Sequence, residues 1–470
     1  MSDVTATSAF LKAAQIGEQA ARLQLLSFPS PTPANFAGLI SQVCDRLERK
    51  ILALASGSAS TDVERLLAFI SIYLVDQVAP ALEYIEGATS ENTPANLVLP
   101  LEKIAEALLQ GSKFIVRRQW RYNYRVVEVR KTLESALEGL FSGQERAQLF
   151  GIPSERLFAV SFPSFERDSA LLHVNFAHEI GHPLEERYLE EESESELRVD
   201  IEIRRDIERE LPRDSPIDRA IKVGEAKSYR RVAIQEIISD TLSALVFGPS
   251  SLFALYEVAG LSRSMDVVSG DLHPPWRYRI RHMLSVLEEI GFIDGGNFSL
   301  GTSSQDLPAS MARARPKVDE WLQNLGRIVS PRSDLAEIER DVRTRCAYRS
   351  VQQALPAIRR FAARNVTKPY TLEVFAEEVP ELLDRIYMQL PPNQIEPVAG
   401  GVRAVSLASI LATGWIYKLA ELTSFNSEEP ASYPMRVQTL NRLVLKAIEL
   451  SAVKAMYDAA FGRSIDGPPE

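Results

Sequence analysis

Cysteine is nearly absent from this chain, and histidine is scarce: two cysteines and five histidines in 470 residues. Cys44 and Cys346 lie far apart and form no CxxC spacing, so a disulfide framework, a zinc ribbon and a dithiol redox centre find no support. The expectation is a reducing, cytoplasmic setting with two structural thiols. Any metal site must then be built from histidines and carboxylates. Gly-rich phosphate loops of the forms GxxxxGK[ST] and GxGxxG are missing, as is GxSxG, which removes the sequence case for a P-loop, a dinucleotide fold or a serine-hydrolase elbow.

Basic charge is also in deficit. Lys and Arg number 53 against 63 Asp and Glu, and the net charge of −10 argues against nonspecific binding of nucleic acid or anionic membrane by the protein as a whole. No nucleic-acid partner is expected, although a local basic surface is not excluded. The start, Met1-Ser2-Asp3-Val4-Thr5, has no basic segment followed by an apolar run, so no secretory signal is expected. The best candidate for a membrane segment, the uncharged, largely apolar stretch 241–256, is short for a span and is broken by Gly248-Pro249; no membrane span is expected.

What is present is ordinary globular composition, 45% hydrophobic and 25% charged, in a chain long enough for two or three cores. Apolar residues recur at three and four through 36–55, 63–79 and 101–109, which predicts an N-terminal helical region over 1–112. Pro29-Ser30-Pro31-Thr32-Pro33 marks a turn within it. From 113 to 131 the period changes. Trp120, Tyr122 and Tyr124 alternate with Arg121, Asn123 and Arg125, a strand pattern, and 156–162 reads as a second strand. Arginines interleaved with aromatics also resemble a single-stranded nucleic-acid platform, but strand packing is the simpler reading. Asp168 offers an N-cap for a helix running through Leu171, Val174 and His178.

Residues 185–210 hold twelve acidic and five basic side chains, read as a solvated helix or mobile insertion within a longer charged segment, 185–225. A helix over 226–247 should stop at Gly248-Pro249. A Gly/Asn/Ser-rich loop at 295–304 suggests a boundary. Beyond it, 296–470 is predicted as a C-terminal helical region with loops near 391–401 and 424–433. The fold class expected is mainly α (α+β): a core over 113–295 with a small β-sheet, flanked by two helical regions.

Within that core lies His178-Glu179-Ile180-Gly181-His182. Histidines four apart share one helix face and can hold one ion, which places Glu179 beside the ion's open position. His178 and His182 are therefore the candidate ligands and Glu179 the candidate general base. Chance alone yields such a pentapeptide in roughly 0.4% of chains this poor in histidine, so a second signal is required. Gln235-Glu236-Ile237-Ile238-Ser239-Asp240 supplies it. Glu236 can be a third metal ligand, leaving one position for water, and Asp240, on the same helix face, can hold the other nitrogen of a ligand histidine.

His-Glu-x-x-His followed by Glu-x-x-Ser-Asp resembles the gluzincins, the thermolysin-like zinc metallopeptidases, over about residues 150–290. The resemblance implies a zincin-like core, Zn2+ held by His178, His182 and Glu236, Glu179 as general base, Asp240 orienting His178, and a peptide or protein substrate. Gln235 departs from the family's Asn, the charged insertion lengthens the segment between the motifs, and Pro183 should kink or end the first helix. In zincins an edge strand usually pairs with extended peptide, a role that 113–131 or 156–162 could fill. His273 opens His-Pro-Pro-Trp-Arg-Tyr-Arg-Ile, similar to a segment of some metallopeptidases. His273 or a nearby arginine then donates to an oxyanion, or His273 merely starts a helix turn, with Arg277 and Arg279 read as structural. His173 and His282 are read as structural. Two further readings stand beside the enzyme: a non-catalytic scaffold stabilised by zinc, and a latent protease opened by a protein partner through the helical flanks.

Overall fold

The computed structural model describes residues 2–57, 60–151, 156–261, 273–299, 307–330, 341–396, 402–422 and 432–461. Helix makes up 74% and strand 7%, so the fold is mainly α with small sheets, as the periodicity implied. The expected loops at 295–304, 391–401 and 424–433 lie partly outside the described residues.

The chain divides into two compact units, Met1–Arg167 and Asp168–Glu470. The three strands of the first sheet fall in the first unit with the N-terminal helices, and the C-terminal helices fall in the second with the HExxH segment.

The first unit contains α1 (Ser2–Gln24), α2 (Thr32–Ala55), α3 (Thr61–Tyr73), α4 (Ala79–Glu86) and α5 (Ala95–Leu108). Ala9 and Ala13 on α1 and Phe36, Ile40 and Leu47 on α2 are buried in one core with Leu67 and Ile70 of α3. Pro80 has no N–H to extend the ladder, and α3 passes into α4 through one π-helical turn, Leu74–Val78. That continuous stretch, Thr61–Glu86, is the one helix among the described residues long and apolar enough to cross a membrane, by length and composition. The stretch 241–256, the best span candidate by sequence, ends one helix and begins another with most of its side chains buried.

Strands β1 (Ser112–Gln119), β2 (Arg125–Glu128) and β3 (Arg156–Pro163) form a mixed sheet in the order β1-β3-β2, with α6 (Val129–Ala136) and α7 (Gly143–Phe150) in the crossover. β3 runs parallel to β1 from Ser112↔Arg156 to Gln119↔Pro163 and antiparallel to β2. Its side chains are buried from Leu157 to Pro163, as a central strand requires. Paired on both sides, β3 has no free edge, which rules out the expected role of 156–162 in pairing with a peptide. The alternation of Trp120, Tyr122 and Tyr124 falls in the connection between β1 and β2, not in a strand.

The second unit contains α8 (Asn175–Gly181), α9 (Leu184–Glu191), α10 (Ser193–Glu210), α11 (Pro216–Phe247), α12 (Pro249–Gly260) and α13 (Trp276–Glu289). A two-stranded hairpin follows, β4 (Ile293–Asp294) and β5 (Asn297–Phe298). Then come α14 (Ala309–Val329), α15 (Val342–Asn365), α16 (Leu372–Tyr387), the hairpin β6 (Gln394–Ile395) and β7 (Arg403–Ala404), α17 (Leu407–Glu421) and α18 (Tyr433–Phe461). α17 is buried nearly all round, including Ile410, Leu411, Ala412, Trp415 and Ile416, which makes it a central helix and not a flank. The Trp415 indole donates to the carbonyl of Leu171 at 3.1 Å, just ahead of α8.

The charged segment is helical. Ile203 and Ile207 of α10 pack with Val223, Ala226 and Cys346 in a small core of their own. Around it Arg345 pairs with Glu210, Arg349 with Asp206 at 3.1 Å and Arg343 with Glu225 at 2.9 Å. Acidic α10 thus lies against basic α15, a partner 130 or more positions away that the local charge count could not name.

Candidate metal centre

The helix expected from Asp168 begins later. A 3-10 segment, Ala170–Val174, carries buried His173, stacked on Phe176 at 5.4 Å, and α8 proper starts at Asn175. α8 stops at Gly181; His182 and Pro183 form a turn before α9, as a proline at that position dictates. His182 still keeps helical φ and ψ, −56° and −44°, so it stays on the face of His178.

α8 lies against α11, and Gly181 permits the approach. A Cβ there would stand 2.7 Å from both Cα and Oγ of Ser239. This contact brings the two motif histidines over Glu236 and Asp240. α11 starts at an N-cap, Ser215, whose hydroxyl accepts from the Asp218 N–H at 3.1 Å, and ends at Gly248. Gly248 has φ +57° and is crowded by Tyr370 and Phe292, conditions only glycine meets.

Glu236 and Asp240 are buried on one face of α11. Glu236 Oε2 lies 3.4 Å from His178 Nε2, and Oε1 lies 3.9 Å from His182 Nε2. Asp240 Oδ1 lies 2.9 Å from Nδ1 of His178. Glu179 Oε2 is 3.8 Å from His182 Nε2, and ligand atoms of His178, Glu179 and His182 lie within 4.8 Å of one another. Three of the six predicted residues thus form the tightest cluster, and Glu236 lies near both histidines. Ser239 Oγ, 3.4 Å from His182 Nδ1, adds a contact the motif reading did not include.

α13 completes the cluster. Arg279, read from sequence as structural, is buried with Nη1 2.7 Å from Glu236 Oε2, while Nη2 and Nε donate to the Asp240 carboxylate at 2.7 and 2.9 Å. Its guanidinium also lies over the Trp276 ring at 4.8 Å. His273, ahead of α13, sets Nδ1 3.1 Å from Glu236 Oε1 while 45% of its side chain stays exposed. His282 is buried away from the ligand face, with Nε2 2.8 Å from the Thr241 hydroxyl. Glu236 Oε2 is the notable atom. It is buried and, despite its close neighbours, receives no aligned hydrogen bond.

The electrostatics follow from burial and from one arginine. Burial pushes Glu179 up to about 7, with Glu236 adding to the rise and His178 and Arg279 opposing it. Burial opposes ionisation of Glu236, but Arg279, with His178 and His273, holds it well below the usual carboxylate range. Asp240 is likewise brought down to about 2, with Arg279 and His178 outweighing burial. Burial and Arg279 lower His178, yet its contacts to Asp240 and Glu236 raise it on balance to about 9; burial, with the charge on His178, takes His182 down to about 3. One imidazole is thus basic and anchored, and its neighbour is neutral with a lone pair to give.

In comparisons with protein-family models, with curated proteins and with solved structures, nothing matches this chain.

Proposed function

We propose that the chain is a zinc-dependent metallopeptidase of gluzincin type, with a zincin-like site built on α8, α11 and α13. The observation that carries this reading is the convergence of His178 of α8, His182 just past its end and Glu236 of α11, with Asp240 on the far nitrogen of His178. Two imidazoles and a carboxylate are a zinc donor set, and tetrahedral bonds of ~2.0–2.1 Å place ligand atoms about 3.3–3.4 Å apart. The 3.4 Å between His178 Nε2 and Glu236 Oε2 fits, the 3.9 Å to His182 asks for a small side-chain turn, and Glu236 Oε2 lacks an aligned donor.

Zinc, when bound, polarises a carbonyl and makes water acidic enough to attack near neutral pH. Glu179, beside His182 at 3.8 Å, would take the proton from the attacking water and pass it to the departing amine. Asp240 fixes the tautomer of His178 by accepting from Nδ1, leaving Nε2 for the ion. His273, half in solvent beside Glu236, is the group placed to donate to a developing oxyanion. Amide hydrolysis rests on these residues; peptide as substrate, and a cytoplasmic setting, rest on the resemblance and the composition.

One observation favours the scaffold reading. Arg279 neutralises Glu236 and Asp240 from within the fold, so the network is balanced as a purely structural knot. Metal analysis of the purified chain, with peptide hydrolysis by wild type and Glu179→Gln, separates the two. Stoichiometric zinc in both proteins with hydrolysis only in wild type supports the enzyme. Zinc in both, no hydrolysis in either and unfolding on chelation support the scaffold. A chain with no zinc refutes both.

A further inference from the structure

The first unit carries an aromatic–arginine ledge that the metal centre does not use. β1 and β3 run parallel and end in register, Gln119 opposite Pro163, so the turns that follow them lie side by side. Ser164 Oγ donates to the carbonyl of Gln119 at 2.9 Å, and the Tyr122 hydroxyl donates to Glu166 at 2.9 Å, tying the two turns together. From them project Trp120, 77% exposed, and Phe165, 78% exposed, with Tyr122 at 47%. No aromatic ring packs on Trp120 or Phe165 among the described residues.

Large apolar side chains held outward on tied turns need a reason, because burying either ring in water-free surroundings is worth far more than leaving it exposed. The charge beside them supplies one. Arg121 and Arg125 are exposed and make no ion pair among the described residues, and Arg118 places its guanidinium 5.7 Å from the Trp120 ring centre. This is a local excess of arginine in a chain whose net charge is −10. Trp and Tyr favour the membrane–water interface, where an amphipathic ring has both solvents, and arginines beside them meet lipid phosphates. A single-stranded nucleic-acid platform needs rings set flat in a row for successive bases. Here the rings stand on turn tips, and one carries a guanidinium.

We propose that Trp120, Phe165, Arg121 and Arg125 form a peripheral docking site for an anionic phospholipid surface, the rings entering the interfacial layer and the arginines contacting phosphate.

Co-sedimentation of the full chain with phosphatidylcholine vesicles, with and without phosphatidylglycerol, tests it. Binding is expected only with the anionic lipid. It should fall about tenfold or more in Arg121→Glu/Arg125→Glu and in Trp120→Ala/Phe165→Ala, changes at exposed positions that leave the core untouched. Brominated lipid should quench tryptophan emission in wild type and not in Trp120→Phe, because Trp276 and Trp321 are half-buried and Trp415 is buried. Equal binding to neutral vesicles, no binding to either, or retention by both double variants would overturn the proposal. So would binding of a single-stranded oligonucleotide that these variants lose while no vesicle is bound.

Discussion

Gly181→Ala should loosen the candidate metal centre without touching a single candidate ligand. The added Cβ would stand 2.7 Å from Ser239 Cα and Oγ and 3.0 Å from its Cβ. Carbon atoms in ordinary contact sit at about 3.5–4.0 Å, so α8 and α11 must part by roughly 1 Å. One of the blocking atoms is backbone and cannot swing aside. Overpacking of this kind costs about 1–3 kcal/mol, offset by less than ~1 kcal/mol of helix propensity because Gly181 is the last residue of α8. A net loss of about 1–2 kcal/mol should lower the melting temperature by about 2–4 °C for a unit of this size. The same parting moves His178 and His182 away from Glu236, well past the ~0.2 Å that metal–ligand bonds tolerate, so zinc affinity should fall at least about tenfold. Calorimetry with and without zinc, and titration against a chelating indicator, read the two effects separately. A variant that melts and binds zinc like wild type would show that the close crossing of these helices does not build the site.

Other consequences can be checked more briefly. Asp240→Ala leaves Arg279 with half its partners in a buried position, and urea denaturation should register a loss of about 3–5 kcal/mol. Glu102 is raised to about 7, chiefly by burial against a hydrogen bond from Ser30 and with Glu106 adding to the rise. A carboxyl with a raised folded-state value gives stability that is full below its unfolded value near 4.5 and lost as pH rises through about 7. Glu102→Gln should therefore be more stable than wild type at pH 8, by on the order of 2 kcal/mol after allowing for its partial exposure, and the gap should close toward pH 4.5. Gly248→Ala combines a left-handed φ with a Cβ 2.8 Å from Tyr370, and thermal melting should fall by several degrees.

The pentapeptide at 178–182 and the Glu-x-x-Ser-Asp run were legible because ligand spacing on a helix is a local property. So was the break at Pro183, which follows from one missing N–H. Arg279 was not, since its position depends on how α13 packs against α11, which no local pattern encodes; the His-Pro lead and the Arg-Ile pair were the available signal. The aromatic alternation at 120–125 misled because a tied turn can imitate a strand period over five residues. The grouping of distant elements was illegible for a similar reason. Burial of β3 on both faces and of α17 all round depends on partners distant in sequence, although the unbroken apolar run of α17 was itself a sign of a central helix.

The hydrogen bond from Trp415 to Leu171 joins two stretches of chain 244 positions apart, immediately ahead of the motif helix. A fragment ending near residue 295 would keep all the candidate ligands yet lose the helix on which Leu171 and its neighbours rest. The two parts of the second unit should therefore behave as complementing fragments, neither holding the histidines in place and the pair restoring them on mixing. In such a molecule a distant nick or truncation would act on the candidate metal centre as directly as the loss of a ligand.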